Sequence, residues 1–139
     1  MTPASRFIDT NILLYSISQD PAETRKRDIA IAVLEDDDLG LSVQVLQEFY
    51  LQATRPTRDD ALDHEIAVGL IRTWLRFKVQ EMTLPVTLSA LEIKAAQKLS
   101  YWDAAIVAAA RSLGCRELLS EDIPHGREIE GVRISDPFR

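Results

Sequence analysis

Arg6-Phe7-Ile8-Asp9-Thr10-Asn11 passes from a short strand-like run to three residues with short polar side chains. Asp, Thr and Asn compete with the backbone for hydrogen bonds, so they favour turns and helix caps over element interiors. The stretch therefore reads as a strand handing over to a helix. Further on, Asp20-Pro21-Ala22-Glu23 supplies a cap, a proline for the first helical position and an acid for the first turn, ahead of Ile29, Val33 and Leu34. A helix of about four turns is expected there. It runs out in Glu35-Asp36-Asp37-Asp38, and Leu39-Gly40-Leu41-Ser42-Val43 is short and apolar enough for a second buried strand.

The same alternation continues. Ser42 can cap a helix whose apolar stripe is Val45, Leu46, Phe49, Tyr50 and Ala53, ending before Pro56. A fourth helix is expected from about Arg58 to Phe77, on Leu62, Ile66, Leu70, Trp74 and Phe77. Val79 to Leu84 reads equally as an edge strand or a loop. A fifth helix is expected from Thr87 through Leu88, Leu91, Ala95 and Leu99, and a sixth from Ser100 to Gly114. Arg116 to Ser120 and Gly131 to Ser135 read as closing strands. The expectation is one α/β domain over residues 1–139, with a mainly parallel central sheet of four to five strands flanked by helices.

Composition narrows the function. The 139 residues are 46% apolar and 27% charged, as in a compact globular domain. Sixteen Lys and Arg against 22 Asp and Glu leave a net charge of −6, so no global positive field holds a polyanion. Contact with nucleic acid has to be local or metal-mediated. The longest apolar run, Ala104 to Ala110, is far below the roughly 18 residues of a membrane span. Met1 to Arg6 lacks the pattern of a secretory signal and Cys115 is the single cysteine, so a reducing, cytoplasmic setting is expected.

In an open parallel sheet ligands gather beyond the C-terminal ends of the strands. Asp9, Asp103 and Asp122 fall at such hand-overs, and Glu48 lies midway along the helix that leaves the second strand. Asp103 belongs to a helix apolar on nearly every side, at about 60° from Ile106 and closer still to Val107 and Ala110, so it is expected to face inward. A buried carboxylate needs a partner or must protonate. Each acid also has a plainer reading: a capping box with Ser100 for Asp103, a solvated stripe with Gln44 and Gln52 for Glu48, helix capping for Asp9, and a turn acid for Asp122.

Phe7-Ile8-Asp9-Thr10-Asn11-Ile12-Leu13, Val45-Leu46-Gln47-Glu48-Phe49-Tyr50, Ser100-Tyr101-Trp102-Asp103-Ala104-Ala105-Ile106 and Leu118-Leu119-Ser120-Glu121-Asp122 resemble, in order, the signature blocks of the PIN domain. The likeness is greatest to VapC-type toxins of type II toxin–antitoxin systems and runs from Arg6 to Phe138, with Glu130-Gly131-Val132-Arg133-Ile134 and Pro137-Phe138 included. The resemblance implies a small α/β domain whose acidic pocket binds magnesium or manganese and cleaves RNA phosphodiesters. Carried over, Asp9, Glu48, Asp103 and Asp122 are the catalytic, metal-binding acids, and Thr10, Asn11 and Ser120 are the short polar residues around them. Glu121 and Asp122 are adjacent; Asp122 is assigned because Ser120 fits the small hydroxyl two places before the family's last acid. The resemblance also implies a homodimer and an antitoxin whose tail reaches the pocket, with a basic side chain standing in for the metal's charge.

The chemistry agrees. Carboxylates packed together raise one another's pKa, and a divalent cation lets them stay ionised. Oxygen ligands select magnesium or manganese over zinc. Such ions lower the pKa of a bound water and stabilise charge on phosphoryl oxygens, which also removes the charge objection.

Other features carry less. Arg25-Lys26-Arg27 is the compact basic cluster, with Arg55, Arg58, Arg111 and Arg116 scattered, and none is assigned to the substrate. Glu35 to Asp38 reads as a solvated loop away from the strand exits. His64, His125 and Cys115 lack zinc spacing, and no Gly-rich phosphate loop or nucleophile elbow is present. A haloacid-dehalogenase-like phosphatase would need an aspartate where Asn11 stands. The rival outside enzymology is a catalytically idle PIN-like domain that binds a protein partner. Trp74, Phe77 and Tyr50 are candidates for packing or association.

Overall fold

A computed structural model describes residues 4–139. The reading of the N-terminus rests partly on Met1 to Pro3, which lie outside them. The chain forms β1 (Arg6–Ile8), α1 (Thr10–Ser16), a 3-10 turn (Pro21–Glu23), α2 (Thr24–Leu34), β2 (Leu39–Ser42) and α3 (Val43–Ala53). It continues through α4 (His64–Trp74), β3 (Lys78–Gln80), α5 (Leu84–Gln97), α6 (Tyr101–Ser112), β4 (Glu117–Leu119), β5 (Glu128–Ile129) and β6 (Val132–Ser135).

The strands form one sheet in the order β3-β2-β1-β4-β6-β5, parallel except for the β5–β6 edge hairpin. The six strands exceed the expected four to five by β5, a two-residue strand too short for a periodic pattern. The ambiguous segment near Val79 resolves into β3 followed by a loop. From β1 the chain adds β2 and β3 on one side, then returns to place β4 on the other. The sheet therefore changes direction between β1 and β4, where parallel α/β sheets open a crevice at the strand ends.

The helices follow their caps. Ser42 accepts from Val45 N at 3.3 Å and starts α3, and Ser100 accepts from Asp103 N at 3.1 Å and starts α6. The helix expected from Thr87 begins four residues earlier, because Thr83 caps Val86 N and Pro85 is preorganised for the first turn. The helix expected from Arg58 begins only at His64. Arg55 to Asp63 instead forms a loop, closed by Leu62 N donating to Ala53 O at 2.8 Å. The four-turn helix expected from Asp20 is divided into the 3-10 turn and α2.

Ala104 to Ala110 is buried without interruption, so α6 is sunk in the core and touches β2, β3, β4 and β6 while α5 packs against it. Small side chains permit this close approach; at Gly40 of β2 a Cβ would stand 2.7 Å from Leu113 Cδ1. Trp74 and Phe77 are core residues rather than association sites. Trp74 meets Phe49 edge to face at 4.7 Å, and both Trp74 and Phe77 are buried.

Candidate active site

Asp9 follows β1 and caps α1, and its environment is the most unusual of any acid in the chain. It is buried, with 4% of its surface exposed. Its Oδ1 accepts from Thr10 N at 2.7 Å and its Oδ2 from the Ser120 hydroxyl at 2.7 Å. No cationic side chain pairs with it among the described residues. Burial pushes its pKa up to about 7, against the two hydrogen bonds that lower it, and the charges of Asp122 and Glu48 push the same way.

Ser120 joins the two strand ends. It is fully buried after β4, and its hydroxyl also accepts from Asp122 N at 3.1 Å. Asp122 in turn accepts from Asn11 Nδ2 at 3.3 Å, while Asn11 Nδ2 lies 3.5 Å from Ser120 Oγ. Glu48 of α3 is held at both oxygens: Thr10 Oγ1 donates to Oε2 at 2.9 Å and Gln44 Nε2 to Oε1 at 2.7 Å. The single stripe of Gln44 and Glu48 on α3 is thus turned toward the strand ends and not simply solvated. Gln44 Nε2 also donates to Trp102 O at 3.2 Å, tying α3 to the start of α6.

Asp103 departs from its expected burial. It is half-buried in the first turn of α6, below the fully buried run that starts at Ala104, because the N-terminal end of α6 emerges from the core. Its pKa is raised by burial and by Asp122, with Ser100 opposing and Glu48 adding. The charges of Asp122 and Glu48 therefore act on both Asp9 and Asp103. Glu48 and Asp122, with Thr10 and Asn11, line a pocket of about 270 Å³, and Asp9 lies in the strand end beneath it.

Glu121, the neighbour of Asp122, is turned elsewhere. It accepts from the Tyr15 hydroxyl and pairs with Lys26 Nζ at 2.8 Å, and the bond to Glu121 holds the Lys26 pKa up. The basic cluster is likewise engaged: Lys26 by Glu121, and Arg25 by Phe138 O at 2.7 Å. Sequence reasoning gave no role to Gln44, Tyr15 or Arg58, of which Tyr15 and Arg58 line the pocket. Gln44 was signalled by its four-residue spacing from Glu48; Arg58 sits in an irregular loop and carried no periodic signal.

What these residues can hold follows from their oxygens. Among the described residues no group of three or more His, Cys, Asp and Glu stands ready to hold an ion between them. The Oδ1 of Asn11 and the Oε1 of Gln44 are buried acceptors without a donor. An all-oxygen acid set with no cationic partner among the described residues fits a hard, hydrated cation such as magnesium, which needs one or two carboxylates and keeps its own waters.

The PIN domain family profile matches residues 6–124, a span that contains all four acids. The chain belongs to the PIN-domain family. Comparison with curated proteins gives no match. Among solved structures, this PIN domain is similar to a toxin–antitoxin complex from Klebsiella pneumoniae, with a TM-score of 0.69, 18% identity, and coverage of 96% of this chain and 98% of that one. It is similar to VapC20 of Mycobacterium tuberculosis, described as a sarcin–ricin loop cleaving toxin, with a TM-score of 0.66, 20% identity and coverage of 85% and 92%. The DNA-bound VapBC of Salmonella typhimurium gives a TM-score of 0.66, 20% identity and coverage of 96% and 98%. At these identities the likeness is one of PIN fold.

Proposed function

We propose that this PIN domain is a magnesium- or manganese-dependent endoribonuclease, the toxin of a bacterial toxin–antitoxin pair. The observation that carries the reading is Asp9: a buried carboxylate at the β1–β4 switch point, held at both oxygens and surrounded by acids rather than cations. Such a group is costly unless protonated or given a counter-charge. A divalent ion would be held by Asp9, Glu48, Asp103 and Asp122, directly or through its waters. When bound it supplies an activated water and charge stabilisation on the phosphoryl oxygens.

The chain's own residues provide the rest. Ser120 and the Thr10 amide fix the two oxygens of Asp9, Thr10 and Gln44 fix those of Glu48, and Asn11 steers Asp122. Preorganised oxygens need no reorientation as charge develops at phosphorus. RNA as the substrate class is supported by the loop-cleaving toxin of like fold. An antitoxin partner is supported by the solved complexes, and by an apolar groove lined by Val43, Leu46, Tyr50, Leu51 and Ile71. Leu84, Leu88 and Leu91 share one exposed face of α5, a pattern that supports a homodimer.

The test is cleavage of a pool of structured RNAs by wild type and Asp9→Asn, each with magnesium, manganese or chelator. Metal-dependent cutting that is lost in the variant is the expected result. Cutting that persists in chelator would sink the metal mechanism, and a folded protein that neither binds manganese nor cuts would sink the nuclease.

A further inference from the structure

The acidic pocket has one cationic residue in its wall, Arg58. The same residue lines the adjoining recess of about 570 Å³ beside Ser18, Gln19 and Asp60, so it stands where the two meet. Although Arg58 lies in the loop between α3 and α4, it is firmly placed. Its Nε donates to Asp60 Oδ1 at 2.7 Å, and Asp60 Oδ2 accepts from Gln19 N at 3.0 Å. The loop itself is closed by Arg58 N to Arg55 O at 3.0 Å and Ala61 N to Arg58 O at 3.2 Å. Among the described residues no protein acceptor takes Nη1 or Nη2, and the side chain is 24% exposed.

We propose that Arg58 is an RNA-binding residue that grips a phosphate flanking the one at the acid cluster. The inference rests on the nuclease reading and adds the polar contact that reading lacks. A guanidinium anchored through Nε keeps its paired Nη donors for a phosphate, which it can meet with two parallel hydrogen bonds. The chain needs such a group, because a net charge of −6 repels RNA and the cluster Arg25-Lys26-Arg27 is largely occupied. Asp60 orients the guanidinium and offsets part of its charge, so the contact works by geometry more than by long-range attraction. Lysine, with a single point charge and no fork, would replace it only in part.

The experiment is single-turnover cleavage of a stem-loop RNA pool in manganese by wild type, Arg58→Ala and Arg58→Lys. The protein concentration at half-maximal rate, the maximal rate, manganese affinity and melting temperature are all read. Arg58→Ala is expected to raise the half-saturating concentration about tenfold while the maximal rate stays within about threefold, as for loss of a charge-assisted contact made before the chemical step. The salt dependence of binding should become shallower by about 0.7 in log–log slope for a single-stranded contact. Arg58→Lys should restore the slope and only part of the affinity; if the alanine variant fails to fold, this variant decides alone. Unchanged half-saturation in a folded variant overturns the proposal, as does a parallel loss of manganese affinity. A wild type that neither cuts nor binds RNA overturns the nuclease reading and this one with it, whereas cutting that ignores Arg58 overturns this one only.

Discussion

The hydroxyl of Ser120 donates to Asp9 Oδ2 at 2.7 Å across 111 residues of chain, joining the exits of β1 and β4 beneath the acidic pocket. The same hydroxyl accepts from Asp122 N, so one buried atom sets the position of two acids. Ser120→Ala removes both bonds and leaves Asp9 with the Thr10 amide alone. Because that bond lowers the Asp9 pKa, its loss should push the carboxyl further up. The expected outcome is a fold less stable by about 1–3 kcal/mol and cleavage slowed tenfold or more, with weaker manganese binding. Thermal melts and a manganese titration check it.

Asp9 also sets a pH dependence. Its folded pKa of about 7 lies above the ordinary 3.8, so its stabilising contribution is complete below about pH 4 and is lost as pH rises through 7. The shift corresponds to a few kcal/mol, on the order of 1.4 kcal/mol per unit. Metal-free wild type should therefore lose stability between pH 5 and pH 8 relative to Asp9→Asn, in which the group cannot ionise. Manganese at pH 8 should restore stability to the wild type and not to the variant, since it binds the folded, ionised cluster. Denaturant melts of both proteins at several pH values give the difference; parallel curves would show that Asp9 does not titrate there.

Adjacent acids should behave oppositely. Glu121 is matched to Lys26 and Tyr15, whereas Asp122 faces Asn11 and the pocket. Glu121→Gln is expected to keep manganese affinity and cleavage within about threefold while lowering the melting temperature slightly, as for other partly exposed ion pairs. Asp122→Asn should weaken manganese binding and slow cleavage by at least tenfold with little change in melting. A reversal of the two profiles would move the fourth acid to Glu121.

The strand-to-helix junctions were legible because each is written in local chemistry: Asp9 after Ile8, Ser42 before Val43, Ser100 before Tyr101. The exits of β1 and β4, neighbours at the middle of the sheet, put Asp9 and Ser120 at adjacent strand ends. The start of α5 was misplaced at Thr87, whose hydroxyl does not cap but bonds back to Thr83 O within the helix that Thr83 caps. Helix spacing from Leu62 to Phe77 extended α4 into a loop held by Arg58 and Asp60, and by Gln19, which binds Asp60 across 41 residues and which no local pattern reveals. Asp103 shows the limit for the site. Periodicity gave its angular direction on α6, but its depth depends on where that helix leaves the core.

Glu48 offers a test of how the pocket is held. Thr10 and Gln44 each bind one of its oxygens, from different helices, so either alone leaves the carboxylate anchored at one end. Thr10→Val and Gln44→Leu are each expected to slow cleavage about threefold, with no change in the pH dependence set by Asp9. Gln44→Leu also removes the bond to Trp102 O that joins α3 to α6, and should cost about 1 kcal/mol of stability. In the double variant Glu48 is free to rotate toward solvent, and the loss of activity should exceed the product of the single effects. The coupling is expected at about 1 kcal/mol, the range for residues that share a partner. Additive losses in such a cycle would mean that Glu48 is not fixed jointly by the two helices, and that its place in the acid cluster depends on a group bound there instead.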